Sequence, residues 1–131
     1  MGELAYQLSL LKIPVSDVGR SADFYRDVLR LKQEFVAAQY GWAQFSAGDI
    51  PLAVYKPGMG GGDGKIGGST GFHLALPPES FDTLAADLIK RGVCIDNQVN
   101  RGDDGTVFVL VRDPDRNVLN VSHAAGGPIV V

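Results

Sequence analysis

A chain of 131 residues, 45% hydrophobic and 21% charged, has room for one core or for two very small halves that share one. That apolar content excludes a disordered chain, and a net charge of −3 without a Lys/Arg cluster gives a phosphate backbone nothing to bind, so no nucleic-acid partner is expected. The single cysteine, Cys94, excludes an intramolecular disulfide and fits a reducing compartment. The first residues, MGELAYQLSL, lack the basic and long apolar segments of a signal peptide, and no run approaches the roughly 20 apolar residues that cross a bilayer. A soluble, cytoplasmic protein with no membrane partner is expected.

In chain order, LSLLKIPV (8–15) reads as a short apolar strand closed by Pro14 and Ser16-Asp17. GRSADFYRDVLRL (19–31) places Phe24, Val28 and Leu29 on one helical face, with Ser21 as the candidate N-cap. Strand-like runs follow at 33–39, 41–47 and 51–56, the last two joined by a hairpin turn at Ala47-Gly48-Asp49. Eight glycines then crowd into residues 57–71. A run with so few side chains to bury is expected to be a flexible linker; a mobile lid is the lesser possibility. A phosphate cradle is disfavoured, because the GxxxxGK[ST] spacing is missing and a strand follows, not a helix.

The second half repeats the order of the first. GFHLALP (71–77) is a short strand, and PESFDTLAADLIKRG is the clearest helix, with Phe81, Leu84, Ala85, Leu88 and Ile89 at helical spacing. Glu79 stands in its first turn, Lys90 and Arg91 in its last, and Gly92 can cap it. Strands at 94–100, 106–112 and 117–123 complete the half, with turns at Asp103-Asp104-Gly105 and Asp113-Pro114-Asp115. Cys94 reads as an inert, partly buried thiol at the start of a strand, since nothing in the sequence supplies it with a base. The predicted class is α+β: two tandem βαβββ modules, about 6–57 and 72–124, around a glycine-rich linker at 58–71. Together they form a cup-shaped mixed sheet, and such junctions favour small ligands.

IPVSD (13–17), FYRDVLRL (24–31), FHLAL (72–76) and DPDRNVLNV (113–121), in that order, resemble the vicinal oxygen chelate superfamily: glyoxalase I, extradiol dioxygenases, fosfomycin-resistance enzymes and bleomycin-resistance proteins. The resemblance covers nearly the whole chain. It implies a homodimer, and in metal-using members it implies ligands at positions filled here by Leu10, His73 and Asn120. Only His73 matches; leucine donates nothing, and a neutral amide is a poor substitute for a carboxylate. Neither Lys12 nor Gln7 is a convincing replacement for the first ligand, and His123, three residues beyond Asn120, faces the other way on a regular strand. Arg30 and Arg116 stand where the family usually has glycine in positive-φ positions, and Asn117 is a candidate to absorb that role at the second turn.

Five residues are therefore candidate ligand contacts. His73, with Phe72 and Leu74 directed to the other side of its strand, is either a hydrogen-bonding group or residual base on the cup wall, or a structural histidine satisfied by a neighbour. Asn120 either orients a polar group of a ligand or packs within its strand. Lys12 and Leu10 share a strand face; Lys12 is either a cup-lining cation or a solvated surface lysine. Trp42, with Tyr40 and Gln44 on the same parity, is either an aromatic platform or core or dimer packing. No cofactor is expected. The leading expectation is a binding protein that sequesters a small aromatic or heterocyclic compound without the usual divalent metal. The alternatives are a metal-dependent lyase, isomerase, dioxygenase or thiol transferase with altered ligands, and a structural or regulatory partner whose cup is filled by its own side chains.

Overall fold

In the computed structural model, which describes residues 2–124, the apolar run around Ile13 forms β1 (Leu11–Pro14). The chain divides into two units, 1–65 and 66–131. The first continues with α1 (Val18–Asp27), β2 (Lys32–Ala37), β3 (Trp42–Ala47) and β4 (Ile50–Tyr55). Its four-stranded sheet has the order β1-β4-β3-β2, with β1 and β4 parallel and the other pairs antiparallel. β1 is shorter than the expected 8–15, and the register accounts for the loss of Leu8. Leu11 pairs with Leu52, so two residues earlier the strand reaches Ile50, the first residue of β4. No partner in this sheet remains for residues before 9.

α1 starts a turn earlier than the sequence suggested. Asp17, not Ser21, is the N-cap, its side chain accepting the Arg20 N–H at 3.0 Å. Burial decides the matter: Val18, Ala22 and Tyr25 lie together against the sheet, and starting at Val18 brings that apolar residue into the stripe. Ser21 is fully buried within the helix. The helix also ends earlier, at Asp27, and Arg30 beyond it adopts a left-handed φ of 60°. Opposite α1, Ile13, Ala43, Phe45, Leu52 and Val54 are buried, and the Tyr25 and Phe45 rings lie 6.1 Å apart. Burying each large side chain of this set contributes roughly 1.5–3 kcal/mol.

The second unit comprises β5 (Ser69–Ala75), α2 (Pro78–Arg91), β6 (Asn100–Arg101), β7 (Thr106–Arg112) and β8 (Val118–Ala124). Its sheet order, β5-β8-β7-β6, repeats that of the first unit, with β5 and β8 parallel. α2 matches its expected span. Proline occupies its first turn, Phe81, Leu84, Ala85 and Leu88 are buried, and Gly92 caps it in the left-handed region at φ 73°. The strand expected at 94–100 is mostly irregular. Cys94 makes a single bridge to Val111, Asn97 turns to φ 56°, and pairing resumes only at Asn100–Arg101. The sequence Asp96-Asn97 favours a turn over the apolar alternation read around it.

Both units thus have a mixed four-stranded sheet with one helix on one face. Strand periodicity sends alternate side chains to the opposite, helix-free face, and Lys12, Trp42, His73 and Asn120 are found there.

Candidate functional site

On the helix-free face of the first unit, register aligns Lys12, Ala53 and Gln44 in one row and Pro14, Tyr55 and Trp42 in the next. The Trp42 and Tyr55 rings are 6.4 Å apart and tilted by 39°. Trp42 Nε1–H donates to Gln44 Oε1 at 3.1 Å, and Gln44 Nε2–H donates to Glu34 Oε1 at 3.3 Å. Tyr40, expected beside Trp42, lies instead in a short 3-10 turn and is 70% exposed. The left-handed Gly41 between them breaks the alternation on which that expectation rested. Tyr55 takes its place, because the register of β3 with β4 pairs residue 42 with residue 55.

Lys12 is not a freely solvated lysine. Its ammonium donates to the Gly61 carbonyl and lies 4.8 Å from the centroid of the Tyr55 ring, a cation–π distance. Tyr55 Oη–H donates to the Asp63 carbonyl at 3.0 Å. The glycine-rich run is therefore anchored, where a flexible linker was expected. Gly61 lies so close to Tyr55 that an added Cβ would come within 2.9 Å of the ring. Leu10 precedes β1 and is 37% exposed.

In the second unit, parallel pairing sets His73 beside Asn120, and antiparallel pairing sets Leu110 on the other side of Asn120. All three lie on the face opposite α2. His73 is exposed and Asn120 half-buried. The Asn120 Oδ1 atom is buried with no hydrogen-bond partner among the described residues. Such an acceptor costs about 1–3 kcal/mol while it stays unpaired. Asn100, two strands away on the same face, has a buried Nδ2 in the same condition. His123 lies on the α2 face, as strand parity implied, its ring edge-on to Phe81 at 4.8 Å. The Phe72 side chain, expected on that face too, lies outside the described residues.

The turn leading into β8 holds its own network. Asp113 Oδ1 accepts the N–H groups of Asp115 (2.9 Å) and Asn117 (2.8 Å), and Asp113 Oδ2 accepts Asn117 Nδ2–H at 2.9 Å. Asn117 Oδ1 in turn accepts the Gly67 N–H at 2.8 Å. Arg116 itself takes the left-handed conformation, at φ 67°, so Asn117 does not absorb that role. Its side chain ties the end of the glycine-rich run to the turn instead. Cys94 is buried, and burial, with a smaller effect of Asp96, pushes its thiol pKa up, which disfavours the reactive thiolate.

The divalent metal that the resemblance implies does not fit this donor set. Leu10 offers no donor atom, Asn120 offers a neutral amide, and of the three only His73 is a usual metal ligand. Among the described residues no three His, Cys, Asp or Glu side chains group as metal ligands.

Residues 7–121 match the pattern of the Glyoxalase/Bleomycin resistance protein/Dioxygenase superfamily, and the chain belongs to that superfamily. Among solved structures it is similar to a lactoylglutathione lyase from Agrobacterium tumefaciens, with a TM-score of 0.75 at 17% identity, covering 92% of this chain and 96% of that one. A superfamily member from Sphaerobacter thermophilus gives 0.74 at 23% identity, covering 92% and 98%. A glyoxalase/bleomycin resistance protein/dioxygenase from Nocardioides gives 0.68 at 14% identity, covering 97% and 89%. At these identities the likeness is one of fold. Comparison with curated proteins gives no match. No described helix is long and apolar enough to cross a membrane.

Proposed function

We propose that the chain is a small-molecule-binding protein that sequesters an aromatic or heterocyclic compound without the superfamily's divalent metal. The ligand contacts in this reading are Leu10, Lys12, Trp42, His73 and Asn120. The observation that carries it is the unpartnered, buried Oδ1 of Asn120 beside His73. A ligand N–H or O–H at that atom would remove the cost of an unmade hydrogen bond, and the His73 imidazole adds a second polar contact. The half-buried Trp42 ring supports an aromatic ligand, since ring faces favour planar partners. The superfamily resemblance extends the reading to a homodimer, and the lone cysteine suits a reducing, cytoplasmic setting.

The test is metal analysis of protein purified without chelator, followed by a thermal-shift screen of planar heterocycles bearing hydrogen-bond donors. Metal below stoichiometry is expected, together with compounds that raise the melting temperature of the wild type and lose that effect in Asn120→Leu. His73→Ala is expected to weaken the same compounds while leaving the melting temperature of the free protein nearly unchanged, because His73 is exposed. Stoichiometric metal, or stabilisation by Ni²⁺, Zn²⁺, Mn²⁺ or Fe²⁺, would overturn the reading in favour of a metalloenzyme.

A further inference from the structure

Residues 58–64, GMGGGDG, hold five glycines, and the structure gives them two different tasks. Gly58, Gly60 and Gly62 take positive φ values of 86°, 99° and 99°, winding the backbone through a conformation that side chains disfavour. Gly61 and Gly64 do not, so the backbone there asks for no glycine. What those two positions lack is room. A Cβ at Gly61 would stand 2.9 Å from the Tyr55 ring, and one at Gly64 would collide with the Tyr55 hydroxyl and lie 3.1 Å from Pro14. The segment is shaped to lie flat on Tyr55, which a mere spacer has no need to do.

Its polar contacts there are of one kind. The Gly61 carbonyl accepts from the Lys12 ammonium and the Asp63 carbonyl from the Tyr55 hydroxyl, so two backbone oxygens occupy two side-chain donors. With Gly61 against its ring and Lys12 Nζ 4.8 Å from its centroid, Tyr55 is 4% exposed on the face away from α1. The segment buries little of itself in return: all of it but the half-buried Gly61 is exposed. Glycine loses more chain freedom on ordering than any other residue, and a segment with exposed backbone and few buried apolar contacts opens readily.

We infer that residues 58–64 are a displaceable plug on an oxyanion site, and that a carboxylate carried by a planar ring system takes their place when it binds. This names the ligand class for the binding reading above and rests on it. The two carboxylate oxygens replace the Gly61 and Asp63 carbonyls as acceptors for Lys12 Nζ–H and Tyr55 Oη–H. An anion competes well with a carbonyl, because hydrogen bonds to an ionised acceptor are shorter and roughly twice as strong as neutral ones. Lys12 is exposed, so the incoming carboxylate keeps part of its hydration and its desolvation cost stays small. Removing the plug also uncovers the Tyr55 ring, 6.4 Å from the half-buried Trp42, so the attached ring system meets two aromatic side chains. A ligand without the anion has nothing to exchange for the two carbonyls.

The experiment compares the full chain with Gly64→Val, using 2-naphthoate and its neutral counterpart 2-naphthamide as probes in calorimetric titrations. Trypsin digestion reports on the plug; Lys65 is the cleavage point, since Lys56 precedes Pro57. The wild type is expected to bind 2-naphthoate about tenfold tighter than 2-naphthamide. Gly64→Val, whose side chain keeps the plug off Tyr55, should bind 2-naphthoate about tenfold tighter still, with an unchanged circular-dichroism spectrum. Saturating 2-naphthoate should speed wild-type cleavage after Lys65 about fivefold, and Gly64→Val should be cut at the faster rate without ligand. Lys12→Met should also be cut faster yet lose 2-naphthoate binding, a combination that a purely structural anchor would not give. If Gly64→Val loses the wild-type spectrum, Gly61→Ala replaces it with the same expectations. Equal affinity of wild type and glycine variant, no preference for the carboxylate, no binding to either, or cleavage that 2-naphthoate slows or leaves unchanged would overturn the inference. The binding reading is decided separately, by the Asn120→Leu thermal shifts and the metal analysis.

Discussion

Replacing Asn117 by alanine tests whether the turn before β8 is a structural clasp. Asn117 is 2% exposed; its Nδ2–H donates to the Asp113 carboxylate at 2.9 Å and its Oδ1 accepts the Gly67 N–H at 2.8 Å. The bond to a charged acceptor is worth about 1.5–3 kcal/mol and the neutral one about 0.5–1.5 kcal/mol. Truncation leaves the Gly67 N–H without that acceptor and removes a donor from a buried carboxylate that is 4% exposed. Water entering the gap recovers part of the loss, so a net cost of about 2–4 kcal/mol is expected. For a chain of this size that lowers the melting temperature by roughly 10 °C. Urea unfolding followed by tryptophan fluorescence and far-ultraviolet circular dichroism would measure it. A loss below about 1 kcal/mol would refute the reasoning, because it would mean that the network forms without holding the turn. Asn117→Asp keeps the acceptor for Gly67 but sets a second carboxylate against Asp113, and at neutral pH it is expected to cost more than alanine.

Arg30→Gly and Arg116→Gly are each expected to leave stability unchanged or raise it by up to about 1 kcal/mol, since φ values of 60° and 67° strain a residue with a Cβ more than glycine's extra unfolded-state entropy costs. A drop in the urea midpoint for both would show that their side chains make compensating contacts. Cys94, buried with its thiol pKa raised, is expected to react with iodoacetamide at pH 8 about tenfold more slowly in the native protein than in urea; fast native labelling would contradict its burial. Asp104 has its carboxyl pKa lowered by the Thr106 N–H it accepts at 2.9 Å. Its stabilising effect is therefore present above the unfolded carboxylate value near 3.9 and fades as pH falls through the lowered native one. The stability gap between wild type and Asp104→Ala should accordingly narrow from pH 7 to pH 3, and a gap independent of pH would count against that bond.

Local pattern carried most of the architecture. Helical spacing at Phe81, Leu84, Ala85 and Leu88 set α2 to within its observed ends, and apolar alternation set β7 and most of β3, β4 and β8. Strand parity separated His123 from Asn120 without any knowledge of tertiary contacts. Elements that depend on what packs or pairs with them were read less well. Ser21 resembles a cap in sequence but is buried, because the stripe that meets the sheet begins at Val18. The strand expected at 94–100 loses most of its pairing where Asn97 turns to positive φ.

By itself, then, the sequence determined two βαβββ repeats and the strand faces of Lys12, Trp42, His73 and Asn120. These follow from periodicity and side-chain chemistry, which are local. Tertiary structure alone decided that Lys12 and Tyr55 anchor the glycine-rich run, that Asn117 clasps Gly67, and that the Asn120 amide oxygen is buried without a partner. Each of these joins residues far apart in the chain or depends on the burial of a single atom, and neither is encoded in spacing.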